Sequence, residues 1–145
     1  MMGIIVILVI IIAIMGFSML TSSGNQVNIE NTIFDIPSGF HQGEMSKLNH
    51  VNLTNGKESI FIYKCSGNDI EQIIEEYEDY KKSENDSVST SNFTVNNTIV
   101  YKSTINNTKT VHYWFEYGDK VYSIYTWGVQ GDIDEIVSNI IKSAH

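Results

Sequence analysis

Residues 3–20, GIIVILVIIIAIMGFSML, carry no charge, and Ser18 is their one hydroxyl side chain. As an α-helix rising about 1.5 Å per residue, the run spans roughly 27 Å, close to the hydrocarbon thickness of a bilayer. Its Ile, Val, Leu and Phe side chains favour insertion by about 0.3 to 0.6 kcal/mol each at the helix centre. The β-branched content does not oppose a helix here. Lipid offers the backbone no partner, so an isolated segment satisfies itself only by coiling. The sequence therefore predicts an N-terminal transmembrane helix over residues 1–20. The competing reading is a cleaved signal peptide. Such peptides open with basic residues, carry an apolar stretch of about 7–15 residues and end in a small-x-small site. Met1-Met2-Gly3 supplies no basic side chain, the run is longer, and Thr21-Ser22-Ser23 is a poor cleavage site. Both readings export the rest of the chain.

The first lysine is Lys47, so orientation rests on the short N-terminal tail and the acidic remainder. These favour an N-terminus inside and a C-terminal domain outside the cytoplasm of a single-pass protein of the cell membrane. The polar stretch Thr21–Gln26 reads as a linker reaching at most about 20 Å. The domain is then residues 27–145, held close to the bilayer. The net charge is −8, and every charged side chain lies at or after Glu30. Such a domain is repelled by nucleic-acid phosphates and by anionic headgroups. Nucleic acid is thus excluded as a partner, and the membrane is reached through the N-terminal helix alone. Cys65 is the single cysteine, which excludes an intramolecular disulfide.

Within the domain, periodicity and turn chemistry predict a first hairpin, with Val27 and Ile29 alternating, a turn over 30–32 and a return over 33–36. Pro37-Ser38-Gly39 stops that strand. Strands over 47–54 and 57–65 flank Asn55-Gly56, the pair preferred in type I′ turns. A helix comes next, with Asn68 as N-cap and Glu71 three residues on. Ile70, Ile73, Ile74, Tyr77 and Tyr80 form its apolar stripe, and it ends near Lys81-Lys82. Strands over 87–95, 98–105, 109–117 and 120–127 are joined at Asn96-Asn97, Asn106-Asn107 and Gly118-Asp119. A last helix opens at Asp132, with Glu135 completing a capping box and Ile133, Ile136, Val137, Ile140 and Ile141 facing inward. The fold class is α+β: an antiparallel sheet of hairpins and a meander, packed with two amphipathic helices.

Phe34-Asp35-Ile36-Pro37-Ser38-Gly39-Phe40, near the start of this domain, resembles the Phe-x-Ile-Pro-x-Gly-aromatic strand that opens small, membrane-anchored, exported archaeal proteins. The order helix, meander, C-terminal helix is similar to the PsbP-like α/β/α sandwich. That resemblance covers most of residues 27–145. It implies an accessory or assembly role more than an enzymatic one, and it carries no site residues over.

The last hairpin is the richest in chemistry. A two-residue turn at Gly118-Asp119 sets Phe115 opposite Tyr122 and Tyr113 opposite Ile124 on one face, with Val111 beside them. The other face receives His112, Trp114, Val121, Tyr125 and Trp127. Aromatics on both faces mean either helices over both sides or one exposed platform. In the second case Trp114, Tyr125 and Trp127, with His112 beside them, would stack on a sugar or peptide ligand. In the first case they are core.

Five Asn-x-Ser/Thr sequons stand at Asn52, Asn85, Asn92, Asn96 and Asn106. This composition gives about two or three by chance, and asparagine also serves turns. Glycosylation of an exported surface is the functional reading. Glu71, Glu75, Glu76, Glu78 and Asp79 read as a solvated helix face, since no loop has calcium-ligand spacing. His41, His50, His112 and His145 show no paired metal spacing. Cys65 reads as a small buried residue more than a nucleophile. No cofactor, metal or catalytic constellation is predicted. The expectation is a non-enzymatic module of the cell envelope, binding an envelope protein or glycan. A small exported hydrolase with a dispersed site is the alternative, and a structural, glycosylated surface component is a third reading.

Overall fold

Side-chain alternation and two-residue turns build most of this molecule. The computed structural model describes residues 25–44, 46–47, 49–106, 108–128 and 132–145. The apolar run 3–20 lies outside the described residues. Among the described residues, no helix is long and apolar enough to cross a membrane.

The fold begins with β1 (Gln26–Ile29) and β2 (Thr32–Asp35). Glu30 and Asn31 both take positive φ, 49° and 70°, as a type I′ turn requires. The turn is therefore shorter than the predicted 30–32. Thr32 joins the strand opposite Ile29, and Val27 faces Phe34. Gln26 already pairs with Asp35, so the fold starts inside the predicted linker. After Pro37-Ser38-Gly39, β3 (His41–Gln42) pairs with β4 (His50–Thr54). Two residues are too few for periodicity to reveal, and β3 was not predicted. Nor does β4 begin at 47, because Lys47 folds back onto His50 in an isolated bridge.

The next hairpin corrects the Asn55-Gly56 prediction. Thr54 pairs with Ser59, so four residues close the loop to β5 (Ser59–Lys64). Asn55 Oδ1 accepts from the backbone N–H of Lys57 and of Glu58, 3.0 and 2.9 Å away. The asparagine side chain, rather than a two-residue type I′ turn, organises the loop.

Helix α1 (Ile70–Ser83) is capped by Asp69, whose Oδ1 accepts from the N–H of Glu71 and Gln72. The predicted cap, Asn68, is one residue early. Ile70 and Ile74 are buried, with Ile73 and Tyr77 half-buried beside them. Tyr80 leaves the predicted stripe: it is 58 % exposed and donates its hydroxyl to Glu84.

Strands β6 (Val88–Val95) and β7 (Thr98–Ile105) meet at Asn96-Asn97, both at positive φ. The connection to β8 (Val111–Tyr117) is longer than an Asn106-Asn107 turn, since pairing resumes at Val111 rather than 109. Gly118-Asp119 joins β8 to β9 (Lys120–Trp127) in the predicted register, with Phe115 opposite Tyr122 and Tyr113 opposite Ile124. Helix α2 (Ile133–Ser143) is capped as predicted, Asp132 accepting from the N–H of Glu135.

Seven strands form one antiparallel sheet in the order β3-β4-β5-β9-β8-β7-β6, and β1-β2 form a separate pair. On one face, Leu53, Ile60, Ile62, Val100, Phe115 and Ile124 are fully buried beneath α2 and the β1-β2 hairpin. Burying each such side chain contributes about 1.5–3 kcal/mol. Phe34 sets its ring edge-on to Tyr122, 5.2 Å between centroids. Tyr122 donates its hydroxyl to Thr32 Oγ1 at 2.7 Å. The C-terminus closes the same layer: the Ile33 N–H donates to the His145 carbonyl at 2.9 Å, and the His145 N–H returns the bond. Asp134 anchors α2 to the sheet, accepting from Tyr113 at 2.7 Å and from Lys102 at 2.8 Å. Helix α1 packs on the opposite face, against Trp114 and Val121. The predicted α+β class, an antiparallel sheet packed with two helices, is the observed one.

Candidate functional site

Helix α1 is too short to cover its face of the sheet. It lies over the β6–β9 side, where Thr90 of β6 donates to Glu78. The β3–β4–β5 side of that face has no helix above it among the described residues. A row of rings runs from the covered part to the open part. Tyr77 of α1 stands edge-on to Trp114 and to His112, with centroids 4.9 and 4.6 Å away. His112 stacks on Trp114 at 5.1 Å and tilts against Tyr125 at 4.8 Å. Tyr125 in turn meets Phe61 at 5.7 Å.

The sheet register produces this row. Strand β8 sets His112 opposite Tyr125, and β9 sets Tyr125 opposite Phe61 of β5. Where the helix stops, Asn49, His50, Phe61, Tyr63, His112 and Tyr125 line a shallow hollow of about 390 Å³. Tyr63 separates it from a second hollow of about 550 Å³, floored by Trp114 and Cys65 and walled by Glu76 and Tyr77 of α1.

The four residues singled out in the last hairpin therefore part company. Trp114 is 2 % exposed beneath Tyr77 and is core, which corrects its role as a stacking platform. His112 and Tyr125 are half-buried and border the hollow. Trp127 is 57 % exposed at the end of β9, opposite Ser59. Sequence reasoning missed Phe61, Tyr63 and Tyr77. Phe61 and Tyr63 alternate with Ile60 and Ile62, which marks them for one face, but only the β5–β9 pairing brings them to Tyr125.

The polar groups of this face are under-satisfied. Tyr77 OH, His112 Nδ1 and Asn52 Oδ1 are buried and make no hydrogen bond among the described residues. By strand alternation, the two that stand on strands, His112 and Asn52, both point to the α1 side of the sheet. His112 keeps one contact, Nε2 to Tyr63 OH at 3.3 Å. Burial, with the Lys81 ammonium adding to it, pushes the His112 imidazolium down to about 4, so the ring is neutral at physiological pH. Burial pushes the Tyr77 phenol up to about 12, which keeps it a donor. It also pushes the Cys65 thiol up to about 11, leaving it a protonated, inert side chain. The site can thus offer neutral donors, acceptors and ring faces.

Among the described residues, no three His, Cys, Asp or Glu side chains are grouped to hold a metal ion. Glu71, Glu75, Glu76 and Asp79 are exposed on α1, as a solvated face should be. The sequons divide by position. Asn52 is 8 % exposed in β4, and its carbonyl accepts from the Gly43 N–H at 2.7 Å. Gly43 packs against the Asn52 side chain: a methyl placed on it would meet Asn52 Nδ2 at 2.8 Å. In the folded domain Asn52 is therefore closed to a glycan, whereas Asn85, Asn92, Asn96 and Asn106 are exposed.

The chain matches no protein-family profile and no curated protein.

Proposed function

We propose that this chain is a membrane-anchored, extracytoplasmic protein whose domain is a non-enzymatic binding module of the cell envelope, built on a PsbP-like sandwich. The uncharged run 3–20 supports the anchor, and the acidic remainder supports the outward orientation. One helix on each face of an antiparallel sheet supports the sandwich. The observation that carries the binding role is the ring row left open beyond α1. Phe61 and Tyr125 offer apolar faces there, beside the His112 ring and the Tyr63 hydroxyl. A sugar or a peptide of an envelope component supplies the matching chemistry, with ring stacking and hydrogen bonds at one shallow surface.

An exported hydrolase is the weaker reading. His112 has Tyr63 at Nε2 but no carboxylate at Nδ1 among the described residues, and its depressed basicity suits it poorly to proton abstraction at neutral pH.

The test is affinity capture from detergent-solubilised native membranes, using the full-length chain and the variant Phe61→Ala/Tyr125→Ala. An envelope component retained by the parent and released by the variant, with unchanged far-ultraviolet dichroism, is the expected result. Equal capture by both chains would move the binding surface elsewhere.

A further inference from the structure

The four exposed sequons gather at one margin of the sheet. Strand β6 is its outer strand, and among the described residues nothing pairs with its far side. Asn85 precedes β6, Asn92 lies within it and Asn96 opens the turn that leaves it. Asn106 follows β7 and donates its N–H to the Ser87 carbonyl at the mouth of the same hairpin. The excluded sequon, Asn52, lies in β4, beside the opposite edge.

Helix α1 reaches this edge at Thr90, which donates to Glu78; beyond that contact the strand's own sequence supplies none of the usual protections. Open edges recruit other strands unless lysines, prolines, bulges or a covering element blunt them. Residues 87–101 contain no charged side chain and no proline. The β6–β7 ladder runs unbroken from Val88–Ile105 to Val95–Thr98, with no bulge. Beside it, Ile99 is 54 % exposed. In a two-residue hairpin the flanking pair, Val95 and Thr98, exchanges hydrogen bonds. Alternation then turns the N–H and C=O groups of Thr94, Asn92 and Thr90 outward.

Turn chemistry explains two of these asparagines. Asn85 and Asn96 sit at φ 63° and 45°, where asparagine is favoured over most residues. It does not explain Asn92, which is exposed in the middle of a strand, where asparagine is disfavoured. We infer that Asn92 carries an N-linked glycan, and that this glycan covers the open β6 edge and the neighbouring Ile99. The inference rests on the extracytoplasmic reading above. In the transfer, Asn92 Nδ2 bonds to the anomeric carbon of a lipid-phosphate-linked oligosaccharide. The bond from that carbon to the phosphate oxygen breaks, the lipid phosphate leaves with the oxygen, and one amide proton is lost to the transferase. Thr94 supplies the hydroxyl that makes the site a sequon.

The experiment is peptide mapping by mass spectrometry of the full-length chain from its native membranes, alongside protease treatment of intact cells. The Asn92 peptide is expected to carry a saccharide mass in most molecules and the Asn52 peptide none. Asn92→Gln and Thr94→Ala should each abolish the Asn92 addition, which guards against one variant misfolding. An unmodified Asn92 peptide in a domain that external protease removes overturns the glycan and leaves the location standing. An unmodified peptide in a protected domain overturns both. A saccharide on Asn52 overturns the structural selection among sequons.

Discussion

His112 shows how burial becomes a pH response. Its ring lies between Trp114 and Tyr125 and its conjugate acid is pushed down to about 4, whereas an unfolded histidine titrates near 6.5. Between those values the unfolded chain takes up a proton that the fold refuses. Stability from this residue is complete above about pH 6.5 and falls as the pH drops toward 4, by on the order of 3 kcal/mol. Urea midpoints followed by tryptophan fluorescence from pH 7 to 4.5 should fall steeply in the parent and less in His112→Phe. Equal slopes would mean that His112 is not the sensor. The two tryptophans should also separate. Trp114→Ala removes a fully packed ring and should cost about 3–5 kcal/mol, whereas Trp127→Ala, at 57 % exposure, should stay within about 0.5 kcal/mol. Comparable losses in urea melts followed by far-ultraviolet dichroism would contradict the division between covered and open parts of this face.

Individual elements were readable in the sequence wherever their signal was local. Strands β7 and β9 and the register across Gly118-Asp119 follow from alternation and a two-residue turn, because one turn length fixes every pair beyond it. Asn55-Gly56 misled, because an Asn side chain can close a four-residue loop as readily as it occupies a type I′ turn. At α1 two adjacent residues, Asn68 and Asp69, are both competent caps, and only the backbone decides. Asp69→Ala should therefore lower stability by about 1 kcal/mol, and Asn68→Ala should leave it nearly unchanged. Thermal melts that reverse this order would restore the earlier helix start. Asp134 belongs to the same scale. Burial raises its carboxyl, but hydrogen bonds from Lys102 and Tyr113 outweigh this and hold it below the ordinary aspartate value. Its hold on α2 is thus present above that ordinary value and is lost as pH falls through the lowered one.

Across the whole molecule, the decisive contact is the pairing of β5 with β9, which joins the early hairpin to the late meander. Nothing local encodes it, since Phe61 and Tyr125 are far apart in the chain. Half of the candidate site was therefore visible, as His112 and Tyr125 on one face. The other half, Phe61 and Tyr63, was not. Which rings α1 would cover was equally unreadable, because amphipathic spacing shows that a helix packs but not where along the sheet it lies. Both expectations for this face hold in part: Trp114 is core, and the row beyond it is open. That open row serves an envelope ligand only if the acidic domain stands outside the cell, tethered by residues 3–20. Protease added to intact cells, read with an antibody to the C-terminal segment 132–145, tests this directly. Loss of the epitope from intact cells, with the chain sedimenting with membranes beforehand, is the predicted result. An epitope that survives until lysis, or an uncleaved chain in the soluble fraction, would contradict it.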